Sequence, residues 1–247
     1  MRRGRWLAVG TVAYILILIA TAPATLVDGV LRRASAGRLH LSEARGTVWS
    51  GAGRVELLDA SRQAGIAKSI AWHLSPVSLL SGRVVCEVEL DSPAKRFVVS
   101  LSPSRIELTD ADISVPAASL GIVLPKLAPL GLGGDLQAHI VELVITGGAV
   151  QANATVLWRA ASSIHSRVSP LGNYELRFAN PGAAMTAVLR TLDGVLQLDG
   201  SGTWVKGAMP AFQATARVAP QQREQLEPLL RMIAVERGAG NYELRPQ

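Results

Sequence analysis

The chain has 247 residues, 49% of them hydrophobic and 18% charged, with a net charge of +6 and one cysteine. That length suits one sizeable core or two small ones. A single cysteine excludes an internal disulfide, and basic residues scattered without a run or patch exclude the usual nucleic-acid surface. Aromatics make up only 4%, beside 23 glycines and 13 prolines. The apolar share therefore rests on Ala, Val and Leu, as in a protein of many short strands.

Arg2, Arg3 and Arg5 precede residues 6 to 27, which carry no charge. About 20 such residues span the hydrocarbon core of a bilayer as a helix, and Trp6 stands where interfacial aromatics do. Ala20-Thr21-Ala22 resembles a signal-peptide cleavage site, but the apolar run is long for one and Pro23 would follow the cut. The pattern favours an uncleaved anchor at 6–27. The positive-inside rule puts a tip at 1–5 in the cytoplasm and the rest outside, which in a bacterial cell is the periplasm, with the chain single-pass in the inner membrane. Residues 28–36 read as a juxtamembrane linker and 37–247 as the exported β-domain.

Alternation with period two fills most of that domain. In residues 43–57, E-A-R-G-T-V-W-S-G-A-G-R-V-E-L, Thr47, Trp49, Gly51, Gly53 and Val55 share parity. As one strand, this stretch puts Gly51 and Gly53 beside Trp49, leaving room for its ring or for a bend. Residues 82–91 set Val84, Cys86, Val88 and Leu90 against Glu87 and Glu89, which makes Cys86 a small core residue. Residues 105–115 change parity part-way, predicting a bulge near Thr109–Asp110. Residues 116–132, with three prolines, predict a short helix and turns joining two β-halves. Further strands are expected at 150–159, with Trp158 among the inward residues, at 173–178, with Tyr174 and Phe178, and at 211–218, with Phe212. Leu226, Leu229, Leu230 and Ile233 have helical spacing behind Pro220, predicting a helix over about 220–236. Gly172-Asn-Tyr-Glu-Leu-Arg177 returns at 240–245, and Gly46-Thr-Val-Trp-Ser-Gly51 is loosely echoed at 202–207.

Chemistry-bearing patterns are missing from the sequence. His40, His73, His139 and His165 lie far apart, with no partner at metal-ligand spacing. No nucleophile elbow, phosphate loop or dinucleotide fingerprint occurs. Asp110/Asp112 and Glu87/Glu89 read as wet strand faces. Asn153-Ala-Thr155 matches a glycosylation sequon, a short pattern frequent by chance. No catalytic residue, cofactor or metal is expected.

The basic tip, single anchor and exported β-domain opening with A-R-G-T-V-W-S-G-A-G (44–53) resemble the type II secretion system protein N family, the general secretion pathway protein N. Similar too are S-P-L-G-N-Y-E-L (169–176), L-D-G-S-G-T-W (198–204), and the helical stretch from Pro220 followed by N-Y-E-L (241–244). The resemblance implies a non-catalytic inner-membrane component of the apparatus that exports folded proteins, contacting its other inner-membrane and periplasmic components. It also implies kinship with AsmA-like and lipopolysaccharide-transport bridge proteins, hence a curved or partly rolled antiparallel β-groove. Gly46, Thr47, Trp49, Gly51 and Gly53 are then a structural motif of the family. Trp49, Val55, Trp158, Tyr174, Phe178 and Phe212 are the candidate residues of an apolar groove or core. A lipid- or glycolipid-handling groove is the alternative function, with lipid as the candidate ligand.

Overall fold

The computed structural model describes residues 10–11, 13–15, 17–58, 64–180, 184–205, 211–238 and 241–244. The chain divides into two compact units, residues 1–95 and 96–247. It is mainly β: among the described residues there are fourteen strands and a few short helices. Every pairing described is antiparallel, and nearly all join strands adjacent in sequence.

In the first unit, residues 17–20 are helical and the chain turns at Thr21. Among the described residues no helix is long and apolar enough to cross a membrane. The tip at 1–5 and the first part of the segment 6–27 lie outside the described residues. Helix α1 (Thr25–Ala34) follows, so most of the stretch that reads as a linker is helical. Asp28 in its first turn and Arg32 and Arg33 in its last match the helix dipole. Gly37, at φ 81°, closes it by donating to the Arg32 carbonyl at 2.7 Å.

Strands β1 (Leu39–Gly46), β2 (Ser50–Leu58), β3 (Ala64–Ser75) and β4 (Val84–Leu90) form a meander. One face of it carries Leu41, Val55, Ile70, Trp72 and Cys86, and Val27 and Leu31 of α1 pack onto that face. Cys86 is half-buried, and burial pushes its thiol pKa up. Residues 43–57 are therefore two strands and not one: the chain reverses between Gly46 and Ser50. Alternation alone cannot register that reversal: parity changes across the turn, where Gly46 pairs with Gly51, and a bulge between Ser42 and Arg45 offsets the change, so that Leu41 and Val55 share parity.

Strand β5 (Ser92–Ser102) carries the boundary between the units. In the second unit β6 (Arg105–Pro116) leads into turns of 3-10 helix around the short α2 (Leu120–Val123), as the three prolines predict. The long pair β7 (Leu132–Thr146) and β8 (Ala149–Ser163) comes next, then β9 (Gly172–Ala179), β10 (Met185–Gly194), β11 (Leu196–Trp204) and β12 (Ala211–Val218). Helix α3 (Arg223–Ile233) stops short of the predicted end. Ala234 starts β13 (Ala234–Gly238), which pairs with β14 (Asn241–Leu244), and β14 lies against β12.

The parity change in β6 is present at Asp110, whose φ is 55°. Pairing of β6 with β7 nonetheless continues unshifted from Thr109↔Glu142 to Ala111↔Ile140. The extra residue lies one strand over, in β7 against β8, between Ile140 and Glu142.

Core packing in the second unit centres on α3. Leu226, Leu229 and Leu230 sit against Leu130, Leu171, Leu196, Ala216, Val218 and Tyr242. Leu226 and Leu230 are fully buried, which stabilises the fold by about 2 kcal/mol each.

Candidate functional site

Two places gather the residues the sequence singles out. The first is the reversal between β1 and β2. Gly46 takes φ 90°, and Gly46 pairs with Gly51 across the turn. Thr47 N–H donates to the Ser50 carbonyl at 2.9 Å, and Ser50 N–H donates to Thr47 Oγ1 at 3.2 Å. Gly51 faces Trp72 on β3, its paired residue. A Cβ there would strike the Trp72 ring and come 2.6 Å from the Arg45 carbonyl oxygen. The glycine makes room for Trp72, on the neighbouring strand, where the sequence points to Trp49. Trp72 Nε1 donates to the Val48 carbonyl at 3.0 Å and Leu74 N–H to the Trp49 carbonyl at 2.7 Å, so β3 holds the turn from one side.

Residues 19–24 hold it from the other. Trp49 Nε1 donates to the Ile19 carbonyl at 2.8 Å, Val48 N–H to Ala22 at 2.9 Å, and Ala24 N–H to Gly46 at 3.1 Å. Pro23 and Thr47 form an isolated β-bridge. The motif thus docks the segment that leads into the domain. Gly53 lies beside Leu41, and Val55 belongs to the core under α1.

The second place is the apolar face of the second unit. Trp158 pairs with Tyr174 across β8 and β9, their rings 5.7 Å apart. Tyr174 is buried, its hydroxyl donates to the Leu196 carbonyl at 2.8 Å, and burial drives its pKa up. Further along, a register row runs Ala154, Phe178, Ala187, Gly202, Phe212 over five strands. Trp204 lies over the small residues of that row, its ring 6.5 Å from Phe178 and 6.3 Å from Phe212. A Cβ on Gly202 would come 2.6 Å from the Phe212 ring. Trp204 is the member sequence reasoning misses, although Gly200-Ser-Gly202-Thr-Trp204 repeats the glycine-beside-tryptophan signal. Phe212 stays 38% exposed. Trp49 and Val55 therefore belong to the first unit, and Trp158, Tyr174, Phe178 and Phe212 to the second.

The opposite face of the same strands is polar. A shallow cavity of about 570 Å³ lies there, lined in part by Arg190, Asp199, Ser201, Gln213, Arg237 and Glu243. Arg237 pairs with Glu243 at 2.7 Å. Arg190 and Arg177 both pair with the buried Glu175. Burial would raise the Glu175 pKa, but hydrogen bonds from the two arginines outweigh it and hold the carboxyl below its ordinary value.

His40, His139 and His165 share no partner with one another. His40 Nδ1 is 2.8 Å from Asp28, His139 Nδ1 is 2.7 Å from Asp112, and His165 Nε2 is 2.8 Å from the Pro129 carbonyl. Arg32 Nη2 also lies 2.7 Å from His40 Nδ1. Among the described residues no group of three His, Cys, Asp or Glu could hold a metal ion.

The two sheet edges differ in finish. Along β1, Asp28 Oδ1 accepts the Leu41 N–H at 2.8 Å, and Ser35 Oγ accepts the Leu39 N–H at 2.9 Å. Among the described residues β13 has a strand on one side only, β14.

A family model described as type II secretion system (T2SS), protein N matches residues 37–245. No curated protein matches the chain, and no solved structure does.

Proposed function

The chain belongs to the type II secretion system protein N family, and from that membership we propose that it is a non-catalytic, inner-membrane accessory component of the secretion apparatus. Membership implies association with other type II secretion components. The finer reading is that residues 6–27 anchor the chain in the inner membrane, and that the β-domain stands in the periplasm and contacts its partners by strand addition at β13. The observation that carries this reading is the contrast of edges: Asp28 of α1 and Ser35 just after it occupy the outward N–H groups of β1, while β13 presents an unpaired side. Unpaired backbone groups on an edge are a template for another chain.

Deleting the gene should impair export of folded proteins. Complementation with Val235→Pro and with Glu236→Pro separates ladder from edge, because successive N–H groups of a strand point to opposite sides. The variant that keeps the parental Tm has lost only an outward N–H, and it should fail to restore secretion. Full restoration by that variant would refute strand addition at β13.

The aromatic cluster of Phe178, Trp204 and Phe212 favours a second reading, a groove for lipid or glycolipid. Lipid that co-purifies with the chain and is lost in Phe212→Asp would support it.

A further inference from the structure

We propose that the connection between β3 and β4 is a second contact with the bilayer, resting on the reading of residues 6–27 as an anchor. Its six residues, Pro76–Ser81, form a 3-10 turn with nothing buried. Val77 is 73% exposed and Leu80 90%, with Leu79 beside them at 41%. Three large aliphatic side chains in water on one short turn mark an interaction site, since soluble surfaces seldom cluster them.

The turn is held in shape. Ser78 Oγ donates to the Ser75 carbonyl at 2.7 Å and accepts the Val85 N–H at 3.2 Å. Gly82, at φ 70°, donates to the Leu79 carbonyl at 3.0 Å. The exposed side chains are thus presented by a fixed scaffold.

Strand directions identify the occupant. β1 ends at Gly46, β2 begins at Ser50, β3 ends at Ser75 and β4 begins at Val84. The register Ser50↔His73 and Ser75↔Val85 puts all four termini at one end of the first unit. Ile19 and Ala22 are hydrogen-bonded to Trp49 and Val48 at that same end. Ile19, and with it the helical residues 17–20, therefore lies at the end that carries Val77, Leu79 and Leu80. Ile17, Leu18 and Ile19 are themselves about half exposed or more. Arg45 and Arg83, both exposed, rim this end, where guanidinium groups meet anionic headgroups. A lipid surface fits all of these features. Val77 and Leu80 enter the interface, Arg45 and Arg83 sit at headgroup level, and the first unit is held by two points.

The test uses the full chain with Cys86→Ser, reconstituted into vesicles of phosphatidylethanolamine and phosphatidylglycerol. An environment-sensitive fluorophore is placed at Leu80→Cys, at Ile17→Cys, or at Arg38→Cys, an exposed position before β1 at the other end of the unit. The fluorophore at 80 should shift to the blue and be quenched by lipid-borne nitroxide, as the one at 17 is, while 38 is quenched only by aqueous iodide. If 17 is quenched by lipid and 80 behaves like 38, the anchor stands and the second contact is refuted. If 80 is quenched by lipid and 17 is not, the contact stands without the anchor. If neither is, both readings fall. Because position 80 is 90% exposed, the substitution leaves the fold intact. Val77→Ser with Leu79→Ser should abolish the shift at 80 while the chain stays with the vesicles.

Discussion

Each unit is finished by one amphipathic helix, and the two helices do different amounts of work. In the first unit α1 packs Val27 and Leu31 on Leu41 and Trp72. The same helix and its capping residue also turn Asp28 and Ser35 onto the outward N–H groups of β1. In the second unit α3 buries Leu226, Leu229 and Leu230 over one end of the apolar face. It leaves the row from Phe178 to Phe212 outside its core cluster. A helix beside an edge strand can cover a face and close an edge together when its polar residues fall in register with the strand. α1 has an acid there and Ser35 follows it with a hydroxyl. By contrast α3 pairs Glu227 with Arg231 within itself at 2.5 Å and reaches β13 by the side chains of Arg223 and Glu236, 3.9 Å apart, not by the strand's outward N–H groups.

The largest effect is expected from removing the floor beneath α1. Gly51→Val puts a branched side chain into the Trp72 ring, and overpacking against backbone as well should cost about 4 kcal/mol or more. Limited proteolysis should show the first unit opened and the second intact; equal loss in both would mean the units do not fold separately. Leu226→Ala is the counterpart under α3 and should cost about 3 kcal/mol, measured by hydrogen exchange in the second unit.

Asp28→Ala is smaller. It frees the Leu41 N–H and the His40 and Arg32 side chains, costing about 1–2 kcal/mol. It also opens the β1 edge, so sedimentation should detect concentration-dependent association that the parent chain lacks. A monomeric Asp28→Ala would show that α1 shields the edge by bulk and not by that carboxylate.

Acid gives the finest distinction. Asp28 and Glu175 are both held below their ordinary values: burial opposes, and is outweighed for Asp28 by the Leu41 N–H, His40 and Arg32, and for Glu175 by Arg190 and Arg177. A depressed carboxylate adds stability above its unfolded value of about 4. That stability fades as pH falls through the folded value. Both units should therefore weaken with acid below about pH 4.5. Glu175→Gln should lower stability at neutral pH and flatten the acid dependence of the second unit alone, followed by thermal unfolding at a series of pH values.

Much of this was readable from residue pattern. The strands at 150–159, 173–178 and 211–218, the proline-rich connection, the buried leucines of α3 and the irregularity at Asp110 follow from period and turn chemistry. Three features were not readable. The reversal at 47–49 changes side-chain parity, and the bulge between Ser42 and Arg45 changes it back, so the two breaks cancel and alternation runs on. Helix α1 straddles the end of a long uncharged run, where Thr25, Leu26 and Val27 read as its continuation and not as the first turn of an amphipathic helix. Trp204 stacks through neighbours three strands apart in the sheet, and that proximity is set by register, which no local window contains.

The docking of residues 19–24 on the turn has a mechanical meaning. The Val48 and Ala24 hydrogen bonds, the Trp49 indole and the bridge of Pro23 to Thr47 lie side by side between two short chain segments. A load arriving at Ile19 is shared among them and passes through the turn into β2, and through Trp72 and Leu74 into β3. The joint between the N-terminal segment and the first unit is stiff, and it transmits torque where a glycine-rich tether would absorb it.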